Sequence, residues 1–397
     1  MIQIVGLTLA FAVILFLSVK RVNVVLSILA GATVLAVASG ISVRSFATAS
    51  IEAILDLQTI NLALQVAAIG MLAYCMKETQ LVNDLIAGLK TMLPTRILIA
   101  VIPAIIGLLQ MPGGALLSAP LIDKEAGDLG LSPERKVAVN ITFRHIWFYV
   151  YPLASSLILA AGLAHISLYQ LAMIQIPSFL LSVTVGYFLL IRRLRKSRIQ
   201  SKNRSYGSVL KGLSPILTTV LLNMFGLPLV VSVLLGLVAC LIIKKSAAKQ
   251  AMRLLMSKYS WTPMLSVISV MILRQIIQES EVIPALQQLL KSTQVPFMSF
   301  ATILPFIIGA VSGLPIAGIG ISVPVVISLF GSARPPLISM VVLSTYAGYY
   351  VSPLHLCLVL SNQYYQAKIQ GVYRLWFPHM LAVCGLGIAL DMVLMAF

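Results

Sequence analysis

Charge is what this chain has least of. Only 10% of its 397 residues are Asp, Glu, Lys or Arg, against about 25% in soluble domains. With 59% hydrophobic residues and a mean hydropathy of +1.01, a soluble globule is excluded, and a polytopic protein of the lipid bilayer is implied. Acids are the scarcer sign, 11 against 28 Lys and Arg. Glu52, Asp56, Glu78, Asp84, Asp123, Glu125, Asp128, Glu134, Glu279 and Glu281 fall in loops or at segment ends, and Asp391 near the outer end of the last apolar segment. Proton pumps and cation exchangers usually hold a carboxylate at the bilayer middle. Its absence from the mid-segments disfavours a cationic substrate and favours an anion. The four cysteines, Cys75, Cys240, Cys357 and Cys384, stand singly without metal-type spacing and read as small buried hydrophobes. No nucleophile is spaced with a base, so an intramembrane enzyme has no visible machinery.

What is present is a succession of apolar segments, each roughly 17 to 25 residues long, the length that crosses a bilayer. None of the polar stretches between them is long enough for a separate soluble domain. The net charge of +17 lies in short loops, the ordinary topology signal, so a nucleic-acid partner is not implied. Arg192, Arg193, Arg195, Lys196, Arg198, Lys202, Arg204 and Lys211 form one cluster, and Lys244, Lys245, Lys249, Arg253 and Lys258 another. Both are expected in the cytoplasm. Lys20 and Arg21 follow the first apolar run instead of preceding it, which predicts a first membrane helix with an outside N-terminus, not a cleaved signal peptide.

Two runs, Ile99 to Ile122 and Phe300 to Val326, are interrupted at Gln110-Met-Pro-Gly-Gly-Ala and Gly313-Leu-Pro-Ile-Ala-Gly. Proline removes an amide donor and glycine permits dihedrals a helix cannot hold, so each run should break and turn back as a re-entrant hairpin. Broken backbone at membrane depth survives only where protein or a water-filled cavity covers it.

The prolines expose a repeat. Pro94 pairs with Pro296 and Pro103 with Pro305 (202 apart), Pro112 with Pro315 (203), and Pro120 with Pro324 (204). Pro133 has Pro335 or Pro336, while Pro152 matches Pro353 and Pro177 matches Pro378 (201 apart). Following the charges, each repeat makes an odd number of crossings, so the second half is expected upside down, its hairpin entering from outside with only Lys291 and Arg334 at its flanks. The expected fold is an all-α polytopic membrane protein with about ten crossings and both termini outside. Residues 1–204 form repeat 1, with scaffold helices over 1–90 and hairpin and transport helices over 91–191. Residues 205–397 form repeat 2, divided at 290. Gly40 to Ile60 is expected as an amphipathic helix at the outer interface, Ser167 to Ile191 as one crossing, and Tyr206 to Lys211 as the join between repeats.

Inverted repeats with broken helices are the architecture of secondary transporters, with the solute near the midplane. After each hairpin a second interruption follows, Val150-Tyr-Pro-Leu-Ala-Ser-Ser156 and Val351-Ser-Pro-Leu-His355. The candidate ligands are Gln110, Pro112, Gly113, Gly114, Ser118, Ser155 and Ser156 from the first half. The second half supplies Ser312, Gly313, Pro315, Gly318, Ser322, Ser352 and His355. Serines and glycines also serve close helix packing. Arg144 and His145, in Asn140-Ile-Thr-Phe-Arg-His-Ile-Trp, stand out because an arginine inside an apolar helix needs a partner or a function. Arg144 reads either as an anion contact or as a side chain snorkelling to the cytoplasmic surface, and His145 and His355 also read as hydrogen-bonded core histidines.

The Pro-Gly hairpin tips, the inverted repeat and the five-crossing units resemble the ion transporter superfamily, which includes the large membrane subunits of TRAP carboxylate transporters, divalent-anion and citrate carriers, and gluconate and lactate permeases. Met111-Pro-Gly-Gly-Ala-Leu-Leu-Ser-Ala-Pro, Phe143-Arg-His-Ile-Trp and Tyr350-Val-Ser-Pro-Leu-His are similar to its branch of domains of unknown function. The resemblance spans the whole chain and implies an elevator mechanism, a homodimer built on the scaffold, and residence in the cell (inner) membrane. The Ser-Asn-Thr signature of the divalent-anion carriers is absent from both tips. These readings point to a secondary transporter of a small anionic solute of the organic-acid type, coupled to Na+ or protons and needing no cofactor. An ion antiporter, an amino-acid carrier and a non-transport membrane subunit stand as alternatives.

Overall fold

The computed structural model describes residues 2–20, 22–109, 114–195, 205–293 and 296–396. The described chain is helical throughout, with no strand among the described residues. The first half runs α1 (Ile2–Val19), α2 (Val24–Ala38), α3 (Val43–Leu55), α4 (Leu57–Glu78), α5 (Leu81–Lys90), α6 (Thr95–Leu108), α7 (Ala115–Asp128), α8 (Pro133–His145), α9 (Ser155–Ala164), α10 (Leu168–Ile174) and α11 (Ile176–Gly186). The second half gives α12 (Tyr206–Met224), α13 (Leu229–Ile243), α14 (Lys245–Lys258), α15 (Thr262–Glu279), α16 (Val282–Thr293), α17 (Phe297–Ser312), α18 (Pro315–Phe330), α19 (Pro335–Val351), α20 (Leu356–Tyr365), α21 (Ile369–Met380) and α22 (Leu386–Ala396).

The helix order of α1 to α9 returns in α12 to α20 about 200 to 205 positions later, and the prolines show why. Pro94 and Pro296 are the N-caps of α6 and α17, and Pro133 and Pro335 open α8 and α19. A residue without an amide is tolerated at these positions because the first-turn amides have no partner within the helix. Pro103 and Pro305 lie inside α6 and α17, and Pro120 and Pro324 inside α7 and α18. The register lapses only near the ends: Pro177 stands in the first turn of α11, whereas Pro378 lies inside α21.

Leu57–Glu78, Pro335–Tyr365 and Ile369–Ala396 are long and apolar enough to cross a membrane, or four stretches are if α9 and α10, bent by 114°, count as one. α15 packs on α2, α3 and α4 and reaches α18, while α12 packs on α5 and α13 on α4. The opening helices of the two halves thus interleave. Both opening pairs approach closely at a glycine: a Cβ on Gly31 of α2 would press the Ala10 carbonyl of α1, and one on Gly236 of α13 the Pro215 carbonyl of α12. Small residues are what permit such approach between apolar helices. Cys75 on α4 and Cys240 on α13 face each other with sulfurs 3.9 Å apart.

The structure adds detail to four expectations. Ser167 to Ile191, expected as one crossing, is built from two helices that meet at Gln175 ahead of Pro177, followed by a wide-turn segment over Tyr187–Ile191. Tyr206 to Lys211, expected as the join between repeats, forms the first turns of α12. The basic run after Lys244 is the helix α14, the counterpart of α3. Asp391 lies five residues from the end of the apolar span Ile369–Ala396, as expected, and is 1% exposed.

Candidate functional site

Each hairpin consists of two helices packed against each other, α6 with α7 and α17 with α18. In the second, α17 ends at Ser312, Gly313 takes φ +63°, and α18 starts on Pro315. Glycine enters that left-handed region without a Cβ clash, and proline fits a first helical turn. In the first, α6 ends at Leu108 and α7 starts after Gly114. The expected contacts Gln110, Pro112 and Gly113 lie outside the described residues, together with Met111.

Both hairpins close around the helix that follows them. A Cβ on Gly107 of α6 would strike the Arg144 carbonyl of α8, and one on Gly309 of α17 the Thr345 carbonyl of α19. A Cβ on Gly114 would overlap the Arg144 guanidinium, and one on Gly318 the Thr345 methyl. The four contacts join matching positions of the two halves, which form three pairs: 107 with 309, 114 with 318, and 144 with 345. The first crook is therefore filled by a guanidinium and the second by a threonine side chain. Arg144 is 5% exposed, so it is held inside the protein and does not snorkel to the surface.

The interruptions after α8 and α19 interlock. Beyond α8 the chain makes a tight turn over Ile146–Phe148 and re-enters a helix at Ser155. Beyond α19 it passes Ser352 and His355 before α20. The Tyr149 hydroxyl donates to that of Tyr350 at 3.2 Å. The His145 Nε2 lies 3.3 Å from the Tyr349 hydroxyl, and the Tyr346 hydroxyl donates to the Phe148 carbonyl at 3.1 Å. Positions 149 and 350, 145 and 346, and 148 and 349 are each 201 apart. Exchanging the halves turns each of these contacts into itself or into the other, as a two-fold axis through the tyrosine pair requires.

The remaining expected residues divide into those tied up locally and those facing the junction. The Ser118 hydroxyl donates to carbonyls of its own helix, Gly114 and Ala115, at 3.3 Å. Ser312 Oγ accepts from the Leu314 amide at 3.3 Å and Ser352 Oγ from the Leu354 amide at 3.1 Å, so both shape turns. Ser156 pairs with the Tyr346 hydroxyl at 2.7 Å, while Ser155 is half-buried at the start of α9. Ser322 is buried with no hydrogen-bond partner among the described residues. A cavity of 400 Å³ opens beside Ser312, Gly313, Leu314 and Leu354 and reaches Val22 and Val24. A second, of 330 Å³, is lined by Glu52, Asp56, Gln58 and Arg274 and lies away from both hairpins.

Sequence reasoning missed several members of the junction. Asn140 donates to the Ala115 carbonyl at 3.2 Å and to Ser361 at 2.9 Å, tying α7 to α20 through α8. Its signal was available, because Asn140 sits one helical turn before Arg144 on the same face of α8. Tyr365 donates to the Ala119 carbonyl at 2.7 Å. The tyrosines at 149, 346, 349 and 350 gave no signal, since aromatics are common inside membrane proteins. Cys357, read as a small hydrophobe, lies beside His145 and His355.

Chemically, the junction gathers the N-termini of α7, α9, α18 and α20 around the ends of α8 and α19. Their first-turn amides and positive dipole ends favour an anion, and Arg144 adds a full positive charge.

Among curated proteins, none matches the chain by sequence. Among solved structures, the chain is similar to the Alcanivorax borkumensis YdaH transporter, described as having an unusual topology, at a TM-score of 0.59 and 14% identity, with 88% of each chain covered. That likeness is one of fold. The chain belongs to the family described as "Protein of unknown function (DUF401)", whose pattern matches residues 4–396.

Proposed function

We propose that this family member is a secondary active transporter of a small anionic solute of the organic-acid type, seated in the cell membrane and working by an elevator movement. The observation that carries the reading is the buried Arg144 guanidinium in the first crook, where the matching place holds Thr345. A charge the repeat does not need, buried beside helix N-termini, is what an anion would use. The fold shared with a transporter supports transport without naming the solute. In this reading Gly114 and the start of α7 meet the anion together with Arg144, while Ser155, Ser322 and the second crook complete the cage. Sodium on free carbonyls, or protons, would supply the coupling. The interleaved α1–α5 and α12–α16 form the scaffold and the dimer surface, and the two hairpins with α8–α11 and α19–α22 form the moving body. The 400 Å³ cavity supports such movement, because it joins the second tip to Val22 and Val24 beside the basic turn that the charge pattern puts in the cytoplasm.

The test is uptake of labelled small organic acids, amino acids and inorganic cations into proteoliposomes, under an imposed sodium gradient, a proton gradient or neither. Accumulation of an acid under one gradient supports the reading. Accumulation of cations alone sinks it.

A further inference from the structure

His145, His355 and Cys357 are all buried, and their ligating atoms lie within 4.8 Å of one another. They come from different places: His145 ends α8, His355 caps α20, and Cys357 is the second residue of α20. The half-repeats do not require the cluster, because the positions matching His145, His355 and Cys357 are Tyr346, Ala154 and Ser156. We propose that this cluster is a binding site for a zinc-class d-block cation.

The hydrogen bonding prepares His145 for that role. Its Nδ1 lies 2.6 Å from the Ile141 carbonyl. A carbonyl only accepts, so Nδ1 carries the proton and Nε2 is the ligating nitrogen; its lone pair accepts from the Tyr349 hydroxyl at 3.3 Å, a bond that a cation would displace. A backbone carbonyl that fixes the tautomer and orients the ring is the usual outer support of a metal-binding histidine. His355 adds a second signal. The ring is fully buried, and neither nitrogen meets hydrogen-bond geometry with a described residue. Leaving a buried imidazole nitrogen without good hydrogen-bond geometry is costly, and a bound cation would supply the missing interaction. The ring packs at a tilt against two aromatics, with its centroid 3.9 Å from that of Tyr349 and 5.7 Å from that of Trp376.

Two imidazoles and one sulfur suit zinc better than the hard oxygen-seeking cations, and three protein ligands leave a fourth position for water or an anionic group. A tetrahedral zinc site needs ligand atoms about 3.3 to 3.8 Å apart, so the ligands must draw in from their present spread by roughly 1 Å. Binding releases the Cys357 thiol proton to solvent, and the resulting thiolate offsets part of the charge placed near Arg144. The site stands independently of the transport reading, since zinc could bind here whatever the solute.

The experiment is zinc-edge X-ray absorption on the full-length purified wild-type protein after addition of one equivalent of Zn2+, repeated on Cys357→Ser and on Cys75→Ser/Cys240→Ser. The expected wild-type shell has one sulfur at about 2.3 Å and nitrogen or oxygen at about 2.0 to 2.1 Å. The sulfur should vanish in Cys357→Ser and persist in the double variant. Two sulfurs that disappear with Cys75 and Cys240 would overturn the proposal by placing the metal between α4 and α13. A shell of light atoms alone in the wild type would overturn it as well, and that outcome needs no variant to fold.

Discussion

The two hairpin crooks have glycines at matching positions and different contents. In both, glycines on the two arms let the following helix enter so closely that no side-chain carbon would fit. The first crook then holds Arg144 and the second Thr345. Packing alone explains the glycines, because both halves have them at matching positions. It does not explain the guanidinium, which the second half does without. The difference separates what builds the junction from what it could act on.

Making the first crook like the second is the most severe way to break this comparison. Arg144→Thr should lower anion uptake by about ten- to a hundredfold, the equivalent of about 1.5 to 3 kcal/mol in charge-assisted hydrogen bonds. The amount of protein extracted as a single species by size-exclusion chromatography should change little. Equal loss of uptake and protein would assign Arg144 to packing.

A methyl group added to each crook sharpens the contrast. Gly114→Ala and Gly318→Ala should each lower stability by about 1 to 3 kcal/mol through overpacking, seen as similar drops in thermal unfolding midpoint in detergent. Only Gly114→Ala displaces the guanidinium, so only there should uptake per folded molecule fall, by roughly tenfold if it costs one charged contact. Matching uptake losses in the two variants would erase the distinction.

The tyrosine pair on the two-fold axis belongs to both halves equally. Tyr149→Phe and Tyr350→Phe should each cost about 0.5 to 1.5 kcal/mol, and the double variant little more than either, because one hydrogen bond is lost in all three. Additive losses in denaturation would mean that the hydroxyls have separate partners. The smallest effect is expected at Thr345→Val. Its hydroxyl is already bonded within its own helix, to the Val341 carbonyl at 2.9 Å, so uptake should stay within about twofold of wild type.

Much of the helix order was legible from proline spacing, because a residue that cannot donate an amide is restricted to helix starts and breaks, and those recur in register. The Gly313-Leu-Pro break and the interruptions at Pro152 and Pro353 were readable for the same reason. Arg144 was visible because a charge inside an apolar helix is rare. What lay in its crook was not, since the contact with Gly114 depends on how two helices pack. The division of 167 to 191 at Gln175 and the helical character of 245 to 258 escaped hydropathy, which measures apolar length and does not resolve bends or amphipathic turns. The approach of Cys357 to His145 is equally invisible, because it joins residues 212 positions apart.

The most direct test is an electron cryo-microscopy map of the wild-type protein with a solute found to be transported. Bound density between the start of α7 and the Arg144 guanidinium is the expected result. Solute density confined to the cavity lined by Glu52, Asp56 and Arg274, with the first crook empty, would contradict it.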